Sequence, residues 1–260
     1  GGGGGGGAPL GRMAFGDLHE EPPGGEAPPR VLVALFDGFE LLDVFGPAEI
    51  LGHAGCEVVF AAQRGGSFEG TVEGTAGCAP GARSGAGARA EVVAELSLEA
   101  AAAQRWDLLL VPGGRATRKL VSRPGFLAQL TACCAAADRV ASVCTGSALL
   151  AACGALRGRA ATTNKRAWDW VLASSPGARA AGGEEGVCWQ PRARWVCDRG
   201  GSGAARGKLV ATSSGVAAGM DLAVWLASDL LGAGAGEEAA RRCEYMPSAD
   251  PDCDPFARPT

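Results

Sequence analysis

Cys144 stands where a short apolar run, Val140-Ala141-Ser142-Val143, meets Thr145-Gly146-Ser147 and the helical pattern Ala148-Leu149-Leu150-Ala151-Ala152. The run reads as a strand and the Thr-Gly-Ser as a helix start, so the thiol falls in the sharp strand-to-helix turn that presents nucleophiles. A helix N-terminus offers unpaired N–H groups and the positive end of a dipole, which predicts a thiol biased toward thiolate. Nine other cysteines occur: Cys56, Cys78, Cys133, Cys134, Cys153, Cys188, Cys197, Cys243 and Cys253. None stands at a comparable junction, and each reads as a small core residue.

Three more groups are expected at the same edge. Asp43, in Phe39-Glu40-Leu41-Leu42-Asp43-Val44-Phe45-Gly46-Pro47, is a lone carboxylate among apolar residues between a strand and its helix. Desolvation raises the pKa of such a group and suits it to exchange protons with a thiol or water. As a purely structural residue it is a cap or first-turn acid, and composition does not choose between the two readings. Glu40 is the rival carboxylate and reads as more solvated. Gly113-Gly114 lacks side chains, so its N–H groups are expected to approach a substrate atom, with the Thr145 N–H completing an anion hole. The Thr145 hydroxyl is placed for a ligand or for the Asp43 carboxylate, although a threonine at a helix start is ordinarily structural.

Several chemistries lack their residues. The two histidines, His19 and His53, have no context that marks a partner for Cys144, which disfavours a Cys-His proteolytic pair. Phosphate loops of the GxGxxG and GxxxxGK[ST] types are missing, so no nucleotide cofactor is expected, and without paired CxxC motifs or more histidines no metal is expected either.

To bring these residues to one edge the chain needs a sheet whose strands end together. Val31–Phe36, Cys56–Ala61, Trp106–Val111, Arg139–Val143 and Lys208–Thr212 are apolar runs of the kind found in strands buried on both faces. Between and after them, Pro47–Ala54, Pro124–Ala137, the segment behind Cys144, Val216–Leu231 and Glu237–Tyr245 read as helices. The alternation predicts an α/β fold built on a doubly wound parallel sheet, with the ligand site at the carboxyl ends of the strands. Residues 1–29, which open with seven glycines, read as a disordered Gly/Pro-rich leader, with Met13 a candidate start. The folded domain is predicted over 30–245, with loop expansions near 70–90 and 198–207, and 246–260 as a surface-packed tail.

The formal net charge of −4 comes without a Lys/Arg cluster, which argues against nucleic acid as a partner. No apolar segment reaches the roughly 20 residues that span a bilayer, and no signal peptide is legible, so no membrane partner is expected. Ten irregularly spaced cysteines, two of them adjacent, fit a reducing compartment, and the reading is cytoplasmic.

Taken together, LLDVFGPAEIL around Asp43, the strand DLLLVPGG, the elbow ASVCTGSALLAACGALRGRAATT and the later LVATSSGVAAGMDLAVWLASDLLG resemble the ThiJ/PfpI superfamily, which shares the class I glutamine amidotransferase-like fold. Within it, the similarity is to the isocyanide hydratase-like branch, and it covers about residues 30–245. The resemblance implies a flavodoxin-like α/β sandwich, a homodimer, a small-molecule substrate, Cys144 as nucleophile, Asp43 as acid/base and Thr145 as the neighbour that steadies both. The same resemblance implies that Gly113 and Gly114 fall on the loop lining the pocket. Where characterised hydratases continue with His-Trp, this chain has Asn164-Lys165, a change expected to reshape the pocket without touching the nucleophile because it lies on another segment. The leading expectation is a cofactor-free lyase that hydrates a small electrophile. Alternatives are a glyoxalase or deglycase acting on reactive aldehydes, and a non-catalytic cysteine redox sensor or ligand-binding domain. The short tail is expected not to hold the helix-turn-helix module of AraC-type regulators.

Overall fold

A computed structural model describes residues 27–63, 71–76, 87–175 and 186–257. The elements run β1 (Arg30–Ala34), β2 (Phe39–Glu40), α1 (Leu41–Ala54), β3 (Glu57–Ala62), β4 (Thr71–Ala76), β5 (Ala88–Val93), β6 (Leu96–Ser97) and α2 (Leu98–Ala102). They continue with β7 (Trp106–Val111), α3 (Thr117–Leu120), α4 (Pro124–Ala136), β8 (Ala137–Ser142), α5 (Gly146–Ala152), β9 (Ala160–Ala161) and α6 (Trp168–Ser174). Last come β10 (Cys188–Trp189), β11 (Trp195–Asp198), β12 (Leu209–Ser213), α7 (Ala218–Leu231) and α8 (Ala235–Arg242).

Seven strands form the central sheet in the order β11-β12-β8-β7-β1-β3-β6. All its pairings are parallel except that of β11, which closes one edge antiparallel to β12. Val31–Leu35, Leu108–Val111 and the whole of β12 are buried, as strands covered by helices on both faces must be. From β1 the chain turns outward to β3 and β6, then crosses back to β7 on the other side and continues to β8 and β12. That reversal puts a topological switch point between β1 and β7, the place at the carboxyl ends where open α/β sheets hold their ligands. On the helical layers, α1, α7 and α8 pack together, and α2 packs on α4.

Several expectations change. The helix predicted from Pro47 begins at Leu41, and Pro47 lies inside it. There it removes a hydrogen bond to the Asp43 carbonyl, an expense offset by the burial of Val44, Pro47, Ile50 and Leu51 on the core side of α1. The expected loop near 70–90 contains a β4–β5 antiparallel ribbon, joined to the segment just before α1 by the pairing of β4 with β2. Residues 1–26 of the predicted leader, 64–70 and 77–86 of the loop region, and Cys78 lie outside the described residues. Cys188 and Cys253 are exposed, so neither fills the core. Among the described residues no helix is long and apolar enough to cross a membrane.

The tail docks through a buried charge. Asp221 of α7 accepts Arg194 Nε at 2.6 Å and Nη2 at 2.5 Å, while its other oxygen accepts the Tyr245 hydroxyl at 2.6 Å and the Ser248 N–H at 2.8 Å. Removing one partner of such a pair leaves an uncompensated buried charge. Arg194→Met is expected to lower unfolding stability by about 3 kcal/mol in urea titration; an unchanged midpoint would contradict this role.

Candidate active site

Cys144 follows β8 and precedes α5 with φ of 57°, a left-handed backbone that side chains other than glycine rarely adopt. Three contacts hold the strained turn. Its N–H donates to the Ser214 carbonyl at 3.0 Å, and its carbonyl accepts the Ser147 hydroxyl at 3.1 Å and the Thr163 hydroxyl at 3.0 Å. Ser147 Oγ also lies 2.8 Å from Thr163 Oγ1, so its single proton is shared between that oxygen and the Cys144 carbonyl, which ties the elbow to the segment that follows β9.

Asp43 reaches the same place from the first turn of α1 and is fully buried. The loop after β7 carries it in: Glu40 N–H donates to the Gly113 carbonyl at 2.9 Å, and Phe39 pairs with Gly114 in an antiparallel bridge. Gly113 N–H then donates to Asp43 Oδ2 at 2.9 Å, and Gly114 N–H to Thr145 Oγ1 at 3.0 Å. A Cβ on Gly113 would lie 2.6 Å from the Thr145 nitrogen and 2.8 Å from both Asp43 Oδ2 and Thr145 Oγ1, so only glycine fits between them. Thr117 Oγ1, 3.1 Å from Thr145 Oγ1, completes the support.

The expected anion hole at Gly113-Gly114 is therefore corrected. Both N–H groups are already engaged, one orienting the acid and the other the Thr145 hydroxyl. The hydroxyl likewise holds the loop rather than the carboxylate. Glu40 is half-buried rather than freely solvated; burial raises its pKa, and its charge raises that of Asp43.

The thiolate bias predicted from the helix terminus is also overturned. Burial above all, and then the Asp43 charge, push the Cys144 thiol well up. The Thr145 N–H, the Asn164 amide and the Thr145 hydroxyl pull it back, in that order. Burial likewise raises Asp43 well above the usual carboxylate range, opposed by the Gly113 N–H and, more weakly, by Cys144. Two groups that both resist ionisation compete for protons as a pair. Asp43 Oδ1 has no hydrogen-bond partner among the described residues, which leaves one carboxyl oxygen free for a proton or a ligand.

Asn164 was expected to leave the nucleophile untouched, yet its Nδ2 donates to Cys144 Sγ at 3.1 Å. Its place at a departure from the hydratase pattern was the one signal in the sequence. Lys165 points elsewhere: Nζ donates to Thr162 Oγ1 at 2.6 Å and the Ala193 carbonyl at 2.7 Å, and lies 3.9 Å from Asp254 Oδ2 in the tail. Burial lowers its pKa to about 8 against the pull of Asp254. Among the described residues no group of three or more His, Cys, Asp or Glu is placed to hold a metal ion.

Because burial penalises the Asp43 anion, the native state holds a proton that the unfolded chain gives up above about pH 3.9. Stability from this group is complete below that pH and is lost as pH rises through the folded-state value. Asp43→Asn, which keeps the acceptor for Gly113 N–H, is expected to melt higher than the native chain at neutral pH, the gap vanishing in acid, while Cys144 chemistry collapses. Equal melting temperatures from pH 4 to 8 would count against a buried, ionisable Asp43.

The chain has relatives. Residues 29–228 match the DJ-1/PfpI family. An uncharacterized protein from the cpoL 5' region of Streptomyces lividans is 38% identical over 137 residues, 53% of this chain and 88% of that protein. Isonitrile hydratase of Pseudomonas putida is 32% identical over 158 residues, 58% of this chain and 59% of the hydratase. A solved ThiJ/PfpI family protein from Pseudomonas syringae superposes with a TM-score of 0.64 at 22% identity, covering 90% of this chain and 85% of its own. With most of its length matched and its parallel sheet shared with that structure, the chain belongs to the DJ-1/PfpI family.

Proposed function

We propose that this chain is a cofactor-free, cysteine-dependent hydro-lyase that converts a small isocyanide to an N-substituted formamide. The observation that carries this reading is the convergence of a strained, buried Cys144 with the buried Asp43, which meets Thr145, the residue after the cysteine, across Gly113. The 32% identity to isonitrile hydratase over part of that protein supports the choice of substrate.

The reaction asks little more than these groups supply. In the form of the pair that carries a single proton, that proton passes from Cys144 to Asp43 and Sγ bonds to the terminal isocyanide carbon. Asp43 returns the proton to the new adduct, giving a thioimidate. Water then adds across the C=N bond, with Asp43 accepting and returning its proton. Cleavage of the C–S bond releases the formamide and restores the thiol, so one water is consumed and no redox change occurs. Thr145 acts through its N–H on the sulfur and its hydroxyl on the Gly114 loop. On the same reading the substrate is a small molecule, the compartment is the cytoplasm, and two copies form a homodimer.

The test is turnover of an alkyl isocyanide beside methylglyoxal, followed by mass spectrometry of the products. Formamide is expected from the native chain and none from Cys144→Ala, with a thiol-linked adduct visible by intact mass. Full activity in Cys144→Ala removes the proposal, and turnover of methylglyoxal alone transfers the chain to the aldehyde-processing reading.

A further inference from the structure

Among the described residues, no cationic side chain is turned toward Cys144 Sγ to hold its charge. The titratable groups that face it are Asp43 and, behind that, Glu40, both acidic. Lys165 is turned into its contacts with Thr162, Ala193 and Asp254, and Arg166 is exposed. What opposes burial is a set of neutral donors, and Asn164 is the side-chain amide among them.

That amide is built into its position. Its Oδ1 accepts the N–H groups of Arg166 at 2.9 Å and Ala167 at 3.0 Å, and only an oxygen can accept both. The NH2 end is thereby forced toward the sulfur, 3.1 Å away. Gly215, next to the Ser214 carbonyl that holds the Cys144 N–H, gives the amide room. A Cβ there would fall 1.9 Å from Asn164 Nδ2. The adjoining Thr163 hydroxyl fixes the Cys144 carbonyl, so the donor and the sulfur belong to one braced unit.

We propose that Asn164 is a catalytic residue that holds the negative charge of Cys144 Sγ, both when the thiol passes its proton to Asp43 and when the sulfur leaves as thiolate. The assignment rests on Cys144 being the reacting thiol and specifies how the proposed lyase stabilises its nucleophile without a cation. A neutral donor lowers the energy of the thiolate without supplying a proton, so Asp43 stays the single proton carrier.

The experiment is the pH dependence of Cys144 alkylation by iodoacetamide, followed by peptide mass spectrometry, in the native chain and in Asn164→Ala, Asn164→Asp and Gly215→Ala. A hydrogen bond to a charged group is lost in Asn164→Ala, so the midpoint should rise by about one pH unit and alkylation at neutral pH should slow about tenfold. Asn164→Asp, which sets a second carboxylate beside the sulfur, should be slower still. Gly215→Ala keeps Asn164 but displaces its amide, and should resemble Asn164→Ala, which keeps the proposal testable if that variant does not fold. Folded Asn164 variants with the native midpoint overturn the assignment. A shifted midpoint in a chain that turns over no isocyanide leaves Asn164 in this role and removes only the hydratase reading. Isocyanide turnover with an unshifted midpoint removes Asn164 and spares the hydratase.

Discussion

A cysteine forced into left-handed backbone at the carboxyl edge of a buried parallel sheet is the constraint to which the rest of the site is fitted. A residue in that region costs on the order of 1–3 kcal/mol and persists only where its surroundings overdetermine it. Here the surroundings come from three directions: Ser214 after β12, Ser147 within α5, and Thr163 after β9. Each belongs to an element anchored in the core, so the turn cannot relax without disturbing the end of the sheet. The turn places Sγ at the carboxyl end of β8, beside the acid delivered by α1.

Electrostatics follow from the same burial. Neither Asp43 nor Cys144 can ionise cheaply, and each disfavours the other's charge, which ties their protons together. The N–H groups of Gly113 and Thr145, the Thr145 hydroxyl and the Asn164 amide are fixed dipoles that favour negative charge on one member or the other. Such preorganised donors strengthen as water is excluded, because the low dielectric that penalises the ions also amplifies the dipoles. The N–H groups of the Gly113-Gly114 loop thus position Asp43 and the Thr145 hydroxyl.

Long-range docking fixes the segment that carries Asn164. Arg194 and Asp221 bind the segment around Tyr245 and Ser248, and Lys165 meets Asp254 nine residues after Tyr245 in the sequence. Asn164 and Lys165 are neighbours with opposite duties: one faces the nucleophile, and the other anchors the tail that closes over the same segment.

Local pattern in the chain was enough for the β-α alternation, for the elbow at Cys144, and for a desolvated carboxylate at Asp43, because strand runs, turn residues and apolar neighbours are properties of a few consecutive positions. It misplaced the start of α1, since Pro47 is a start signal by local rule, whereas packing of Val44 and Ile50 carried the helix back to Leu41. Only the tertiary structure decided that Gly113 and Gly114 spend their N–H groups on Asp43 and Thr145, that the thiol is raised rather than lowered, and that Asn164 touches the sulfur. Those outcomes depend on segments 20 to 70 residues apart meeting in one buried space, where depth of burial and the geometry of each donor set the chemistry, and neither quantity is written in residue type or spacing.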